Sequence, residues 1–138
     1  MFKISTLILG LMASLHLLAQ QEAAHYSFEP NDSNTSLWYG FGDGNYLVAL
    51  DKDVYHDGAT SVRIESKPDS KQFQPFTFSI PANFGGGKIQ LSGWMKSENI
   101  RGGYASFWLR IDPDVGFTNM GSEVLSGTTD WNKYTIEL

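Results

Sequence analysis

The amino-acid sequence predicts an all-β fold, a sandwich or jelly roll of two sheets packed face to face. Beyond the first twenty residues, apolar and polar side chains alternate at the two-residue period of strands, and helical periodicity is hard to find. Clusters of glycine, proline, asparagine and aspartate separate these short runs, as turns do. We predict seven strands, near residues 25–29, 46–51, 61–66, 74–80, 88–96, 104–112 and 132–138.

Length and composition indicate one folded domain without a nucleic-acid surface. The 138 residues suit one domain, and a hydrophobic content of 41% is enough to form a core. The formal net charge is -5 at pH 7, and the lysines and arginines are scattered singly. A surface that binds phosphates needs a basic excess, so we expect no nucleic-acid partner.

The first nineteen residues have the layout of a secretory signal peptide. A positive charge at Lys3 precedes an almost wholly apolar run from Ile4 to Leu18, and a polar segment follows Ala19. The run is shorter than the roughly 20 residues of a membrane-spanning helix, and no second run follows. We predict a signal peptide at residues 1–19 and a domain at 20–138 in the periplasm or extracellular space, without membrane contact after cleavage. A buried N-terminal helix is the alternative.

The end of the chain and its lack of cysteine bear on how the domain is held together. Export usually favours disulfides, but the sequence contains no cysteine, which leaves the core and a metal ion as means of stabilisation. The last predicted strand, WNKYTIEL, ends at Leu138 in mid-alternation. We therefore expect residues 20–138 to be a C-terminally truncated domain that lacks at least one strand.

The sequence does not contain the common catalytic and nucleotide-binding motifs. FGGGK is followed by Ile89, where a phosphate-binding loop needs serine or threonine, and DKDVYHDG has Tyr55 and Val62 where a calcium hand needs ligands. Neither GxSxG nor HExxH occurs, and only His25 and His56 lie beyond the signal. A catalytic pair of carboxylates, as in glycosidases, remains an open alternative, because the sequence does not give the distance between two side chains. We expect no catalytic residues and no enzyme activity in this chain.

Two predicted strands carry a tryptophan on the face opposite their aliphatic side chains. In KIQLSGWMK, Trp94 and Lys96 share a face with glutamine and serine, and in GGYASFWLRIDPD, Trp108 and Arg110 share one with tyrosine and serine. An indole stacks on the C–H face of a sugar while polar groups bind its hydroxyls. With Tyr46, from the loop SLWYGFGDGNY, these are our candidate ligand-binding residues. Alternatively, the two tryptophans are covered by that loop or by a further segment of chain.

The order of several motifs is similar to a known domain family. YSFEP, LWYGFGDGNYLVALDKDVYHDGATSVRIES, KIQLSGWMKSENIRGGYASFWLRID, TNM and SGTTDWNKYTIEL follow one another along the chain. This order resembles the N-terminal, carbohydrate-binding-module-like domain of exported Bacteroidetes proteins, which commonly precedes a catalytic domain such as a peptidase or an erythromycin-esterase-like domain. The resemblance implies a galactose-binding-like jelly roll. It also implies a noncatalytic accessory module that binds a glycan or positions substrate, or else a structural domain that packs against a downstream hydrolase.

The resemblance further implies a structural calcium ion. Related modules bind it with a glutamate near the first strand, groups in a following turn and an acid on the final strand. Glu29 and Asp57 match the first two positions, and the final acid would lie beyond Leu138. TNM departs from the more usual acidic DNM at Thr118, which weakens the expectation of a ligand contact there.

Overall fold

The computed structural model describes residues 24–70, 72–83, 86–113 and 115–138. Within these ranges it contains strands and one short 3₁₀ helix but no α-helix, which confirms the all-β fold class. The 3₁₀ helix is Ser33–Leu37, and the strands are β1 (Gly42–Asp43), β2 (Tyr46–Asp51), β3 (Ser61–Ser66), β4 (Gln90–Ala105), β5 (Trp108–Ile111), β6 (Gly116–Asn119) and β7 (Leu125–Glu137). The predicted signal peptide, 1–19, lies outside the described residues. No helix in the described part is long and apolar enough to cross a membrane.

The strands form three antiparallel groups. β1, β2 and β3 make a three-stranded sheet, in which Tyr46 of β2 pairs with Ser66 of β3 and Asp51 with Ser61. β4 pairs with β7, and β5 pairs with β6. We call the last two pairs the β4–β7 ribbon and the β5–β6 ribbon.

Two predicted strands are observed at their predicted positions, and others differ. The predictions at 46–51 and 61–66 match β2 and β3, whereas those at 88–96 and 132–138 cover only parts of the longer strands β4 and β7. The predicted strand 104–112 is interrupted between β4 and β5. The predictions at 25–29 and 74–80 are wrong, because no ladder forms there and the latter segment makes only an isolated bridge to Tyr39.

Aromatic packing explains why these two segments still look like strands in sequence. Trp38 stacks on Phe76, with ring centroids 4.9 Å apart, and on Phe78 at 5.6 Å. Phe28 packs beside Trp38, and Tyr26 meets Phe78 edge to face. The alternating aromatics therefore form a cluster between extended segments rather than one face of a sheet.

The two ribbons share a hydrophobic core. Met120, Leu125 and Ile136 are buried together. The partly buried side chains that pack against them come from β4, β5, β7 and the adjoining segments: Leu91, Met95, Ile100, Phe107, Leu109, Val124 and Tyr134. Contact is close, since a Cβ at Gly93 would lie 2.9 Å from Cζ of Phe107. Each ribbon thus has an inner face on this core and an outer face pointing away from it, a sandwich-like arrangement.

Candidate functional site

The outer face of the β4–β7 ribbon carries one tryptophan in a row of polar groups. Leu91 and Met95 point into the core, so the residues that alternate with them point outward. The cross-strand register places each of them opposite a polar residue of β7. The resulting pairs are Gln90 with Glu137, Ser92 with Thr135, and Trp94 with Lys133. The ribbon therefore has an amide, two hydroxyls, charged groups and an indole on a single surface.

A β-bulge adds two further residues to this surface. Met95 pairs with Asn132 and Ser97 with Thr129, so Asp130 and Trp131 together oppose the single residue Lys96. Two residues against one break the alternation and redirect side chains. The carboxylate of Asp130 lies 3.4 Å from the Lys96 ammonium, and Trp131 lies near the same surface through a contact with the 52–60 loop.

His56, from the loop between β2 and β3, contacts this surface and so links the β1–β2–β3 sheet to the β4–β7 ribbon. Its ring stacks on Trp94, with centroids 3.9 Å apart and planes 15° from parallel, and meets Trp131 edge to face at 5.8 Å. The indole of Trp94 remains 47% exposed. One side of Trp94 is thus fixed by an aromatic neighbour while much of the ring stays open to solvent. His56 was absent from the predicted site, because this contact depends on the path of a distant loop.

The ion pair at the bulge is held by the backbone as well as by charge. The backbone N–H of Trp131 donates to Asp130 at 2.8 Å, and this bond, followed by the hydrogen bond and charge of Lys96, holds the pKa of Asp130 below its ordinary value of 3.8. The carboxylate is therefore ionised at neutral pH and pairs with the Lys96 ammonium. Lys96, a predicted site residue, lies beside Trp94 as the alternation indicated.

Trp108 and Arg110 lie on the other ribbon. Leu109, between them, packs on the shared core, so both point to the outer face of β5–β6. There Trp108 lies 5.9 Å from Phe117, and Arg110 forms a two-contact ion pair with Asp112, at 2.9 and 3.0 Å. The structure therefore places the two predicted tryptophans, Trp94 and Trp108, on different outer faces.

Tyr46 lies apart from both tryptophans in the sheet order. It begins β2, where it pairs with Ser66 and is half-buried. The structure gives it no aromatic contact with either outer face among the described rings. Its role in binding stays a prediction.

Glu29 and Asp57 meet at one turn. The Glu29 carboxylate accepts the backbone N–H of Ala59, at 2.9 Å to Oε1, and that of Thr60 at 3.3 Å. Asp57 accepts the N–H of Gly58 at 2.9 Å, and a Cβ at Gly58, whose φ is +77°, would collide with Glu29. The turn is therefore fastened to the N-terminal segment by a carboxylate.

This turn offers part of a calcium ligand set. Oε1 of Glu29 accepts both N–H groups, whereas Oε2, which shares only the N–H of Ala59, and Oδ2 of Asp57 keep lone pairs, and oxygen is the donor that calcium prefers. Among the described residues, however, no group of three or more histidine, aspartate or glutamate side chains is placed to hold a metal ion. Glu29 and Asp57 could thus supply two ligands, and the remaining oxygens would come from backbone or other groups.

Comparison with known proteins gives one distant likeness. The chain is 29% identical over 100 residues to the uncharacterized HTH-type transcriptional regulator YbfP of Bacillus subtilis (strain 168). The match covers 67% of this chain and 34% of the relative, so the chain spans about a third of that protein's length. No family profile matches the chain, and no solved structure matches it. These comparisons do not assign the chain to a family.

Proposed function

We propose that this chain is a noncatalytic accessory module that binds carbohydrate, or positions a carbohydrate-bearing substrate, on the outer face of the β4–β7 ribbon. The observation that carries the proposal is the half-exposed indole of Trp94, held by His56 and set in a row of hydroxyl, amide and charged side chains. Sugars present an apolar C–H face within a rim of hydroxyls, and this surface offers a partner for each part.

The existing contacts favour binding because they order the surface in advance. His56 restricts the indole of Trp94, and Lys96 pairs with Asp130 at the bulge. Side chains that are already ordered lose less conformational entropy when a ligand binds. The ribbon also presents a row of side chains along its length, which suits an extended oligosaccharide.

The wider setting of the proposal follows the sequence resemblance. The module would adopt a galactose-binding-like jelly roll in an exported Bacteroidetes-type protein, and residues 1–19 would direct it to the periplasm or the extracellular space. A catalytic domain in the same chain would follow the module and act on the bound substrate. Nucleic acid and membrane are not proposed as partners, because the net charge is -5 and the mature sequence has no long apolar run.

A structural calcium ion is part of the proposal. Glu29 and Asp57 would hold it at the turn that both already contact. Bound there, the ion would neutralise the two carboxylates and fasten the N-terminal segment more firmly to the β2–β3 loop. Because His56 precedes Asp57 directly, this turn also sets the position of the ring that covers Trp94.

The exposed face of the β5–β6 ribbon favours a second candidate function, a structural domain that packs against a downstream hydrolase. Phe117 is 58% exposed beside Trp108, and Val115 is 69% exposed in the adjoining turn. Neighbouring exposed apolar side chains are typical of interaction surfaces. On this alternative, Trp108 belongs to an interdomain interface and no glycan is bound.

A glycan panel with two matched tryptophan variants separates these functions. Wild type is expected to retain glycans above background, Trp94→Ala to lose them, and Trp108→Ala to keep them. Each variant removes one indole from an outer face. The melting temperatures of both variants are compared, so that a loss of binding caused by unfolding is recognised. The absence of binding by folded wild type would reject carbohydrate binding. Loss with Trp108→Ala alone would place the site on the other ribbon.

A further inference from the structure

We infer that the glycan bound by the outer face of β4–β7 is acidic, and that Lys133 binds its carboxylate. This inference rests on the proposed function and specifies the class of ligand. Most charges of the ribbon are already paired with one another.

The lysines of this surface differ in their partners. Lys88 lies 3.6 Å from the carboxylate of Glu137, and Lys96 lies 3.4 Å from that of Asp130. Lys133 makes no ion pair with any residue in the described ranges, and its side chain is exposed. The surface therefore has one ammonium whose charge is not matched by a neighbouring acid.

Lys133 occupies the position from which it can reach a sugar stacked on Trp94. The register places it directly opposite Trp94, and side chains in that relation have Cβ atoms about 4.5–5.5 Å apart on the same face. A carboxylate at the rim of a stacked sugar ring lies within the reach of a lysine side chain next to the indole. The apolar face of the sugar and its acid group would thus be bound by adjacent residues.

Two acids of the surface, Asp130 and Glu137, are already paired. Asp130 is engaged by Lys96 and by the N–H of Trp131, and Glu137 accepts from Gln90 and pairs with Lys88. Both acids are neutralised by neighbours on the ribbon. An anionic ligand at Trp94 therefore meets the unmatched ammonium of Lys133 directly across the ribbon, whereas Glu98, the acid of β4 without a partner in the described ranges, lies four residues further along the strand.

The expected preference is modest because Lys133 is exposed. A solvent-exposed ion pair contributes at most about a fivefold change in affinity, and added salt weakens it. The same geometry predicts no preference among neutral sugars, which stack on the indole without using the ammonium. Charge therefore distinguishes acidic from neutral sugars, while stacking on Trp94 contributes to the affinity for both.

Oligouronides and their carboxyl-reduced forms test the inference, since the two differ only in the acid group. Oligomers of galacturonic and mannuronic acid are titrated calorimetrically into wild type at low and high salt. We expect the acidic oligomers to bind about fivefold more tightly at low salt, and the difference to shrink at high salt. Lys133→Gln should abolish the preference while keeping affinity for the reduced oligomers. Lys88→Gln, which removes a paired lysine from the same outer face, should keep the preference for acidic oligomers.

Each contrary result has a distinct meaning. Equal affinity for acidic and reduced oligomers overturns the inference and leaves carbohydrate binding in place. A preference that Lys133→Gln retains also overturns it. If none of these oligomers binds, the inference is overturned. The complete glycan panel then decides whether the proposed carbohydrate binding is also wrong.

Discussion

Replacing Glu29 with alanine is expected to lower the free energy of unfolding by about 2 kcal/mol. The carboxylate of Glu29 accepts two backbone N–H groups, from Ala59 and from Thr60. A hydrogen bond to a charged group contributes roughly 1.5–3 kcal/mol. The Thr60 bond is long and Ala59 is exposed, so each bond is assigned a value below that range, about 1 kcal/mol.

Urea unfolding followed by tryptophan fluorescence measures this loss. With a typical urea dependence of roughly 1–3 kcal/mol per molar, the midpoint should fall by about 1 M. Glu29→Gln keeps one acceptor oxygen and should lose about half as much. Glu98→Ala is the control, because Glu98 is exposed and has no hydrogen-bond or ion-pair partner among the described residues. The reasoning is refuted if Glu29→Ala shifts the midpoint no further than Glu98→Ala does.

The same unfolding curves test the calcium proposal. Adding calcium should raise the midpoint of wild type, and a chelator should reverse the change, because an ion bound only by the folded state stabilises it. Glu29→Ala should show no such rise. A calcium response that is equal in wild type and variant would place any bound ion elsewhere.

Two further perturbations test the packing and the electrostatics of the ribbons. Gly93→Ala should cost about 1–2 kcal/mol in thermal unfolding, since its Cβ would lie 2.9 Å from the ring of Phe107, whereas Gly103→Ala has open space and should cost less. A smaller loss at Gly93 than at Gly103 would contradict this packing. The pKa of Asp130 is lowered, chiefly by the backbone N–H of Trp131, so its stabilising contribution is present above its unfolded pKa and is lost as pH falls through the lower folded value. When the pH is lowered from neutral to below 3.8, the free energy of unfolding of Asp130→Asn should therefore fall less than that of wild type. An equal fall in both proteins would argue against a lowered pKa at Asp130.

The strands could be predicted where period and turns agree. β2 and β3 show clear alternation and are separated by a loop rich in aspartate and glycine, and their predicted bounds match the structure. The segments 25–29 and 74–80 alternate as well, but their aromatic side chains pack on one another. Alternation alone does not distinguish a side chain that faces a sheet partner from one that joins an aromatic cluster.

Side-chain alternation along a single strand predicted only part of the candidate site. Period two correctly placed Trp94 and Lys96 on one face, away from the aliphatic core. It could not place Trp131, because the bulge shifts the alternation of β7, nor His56, which approaches from a loop far away in sequence. The division of Trp94 and Trp108 between two ribbons likewise depends on strand pairing rather than on either strand's own sequence.

The four indole N–H resonances of this chain test the central proposal most directly. In a nuclear magnetic resonance titration with a glycan identified by the panel, each signal is assigned by a tryptophan-to-phenylalanine variant. We predict that the signals of Trp94 and Trp131 shift with the bound fraction, while those of Trp38, in the aromatic cluster, and Trp108, on the β5–β6 ribbon, stay in place. Binding that shifts Trp108 and leaves Trp94 unchanged would contradict the proposed site.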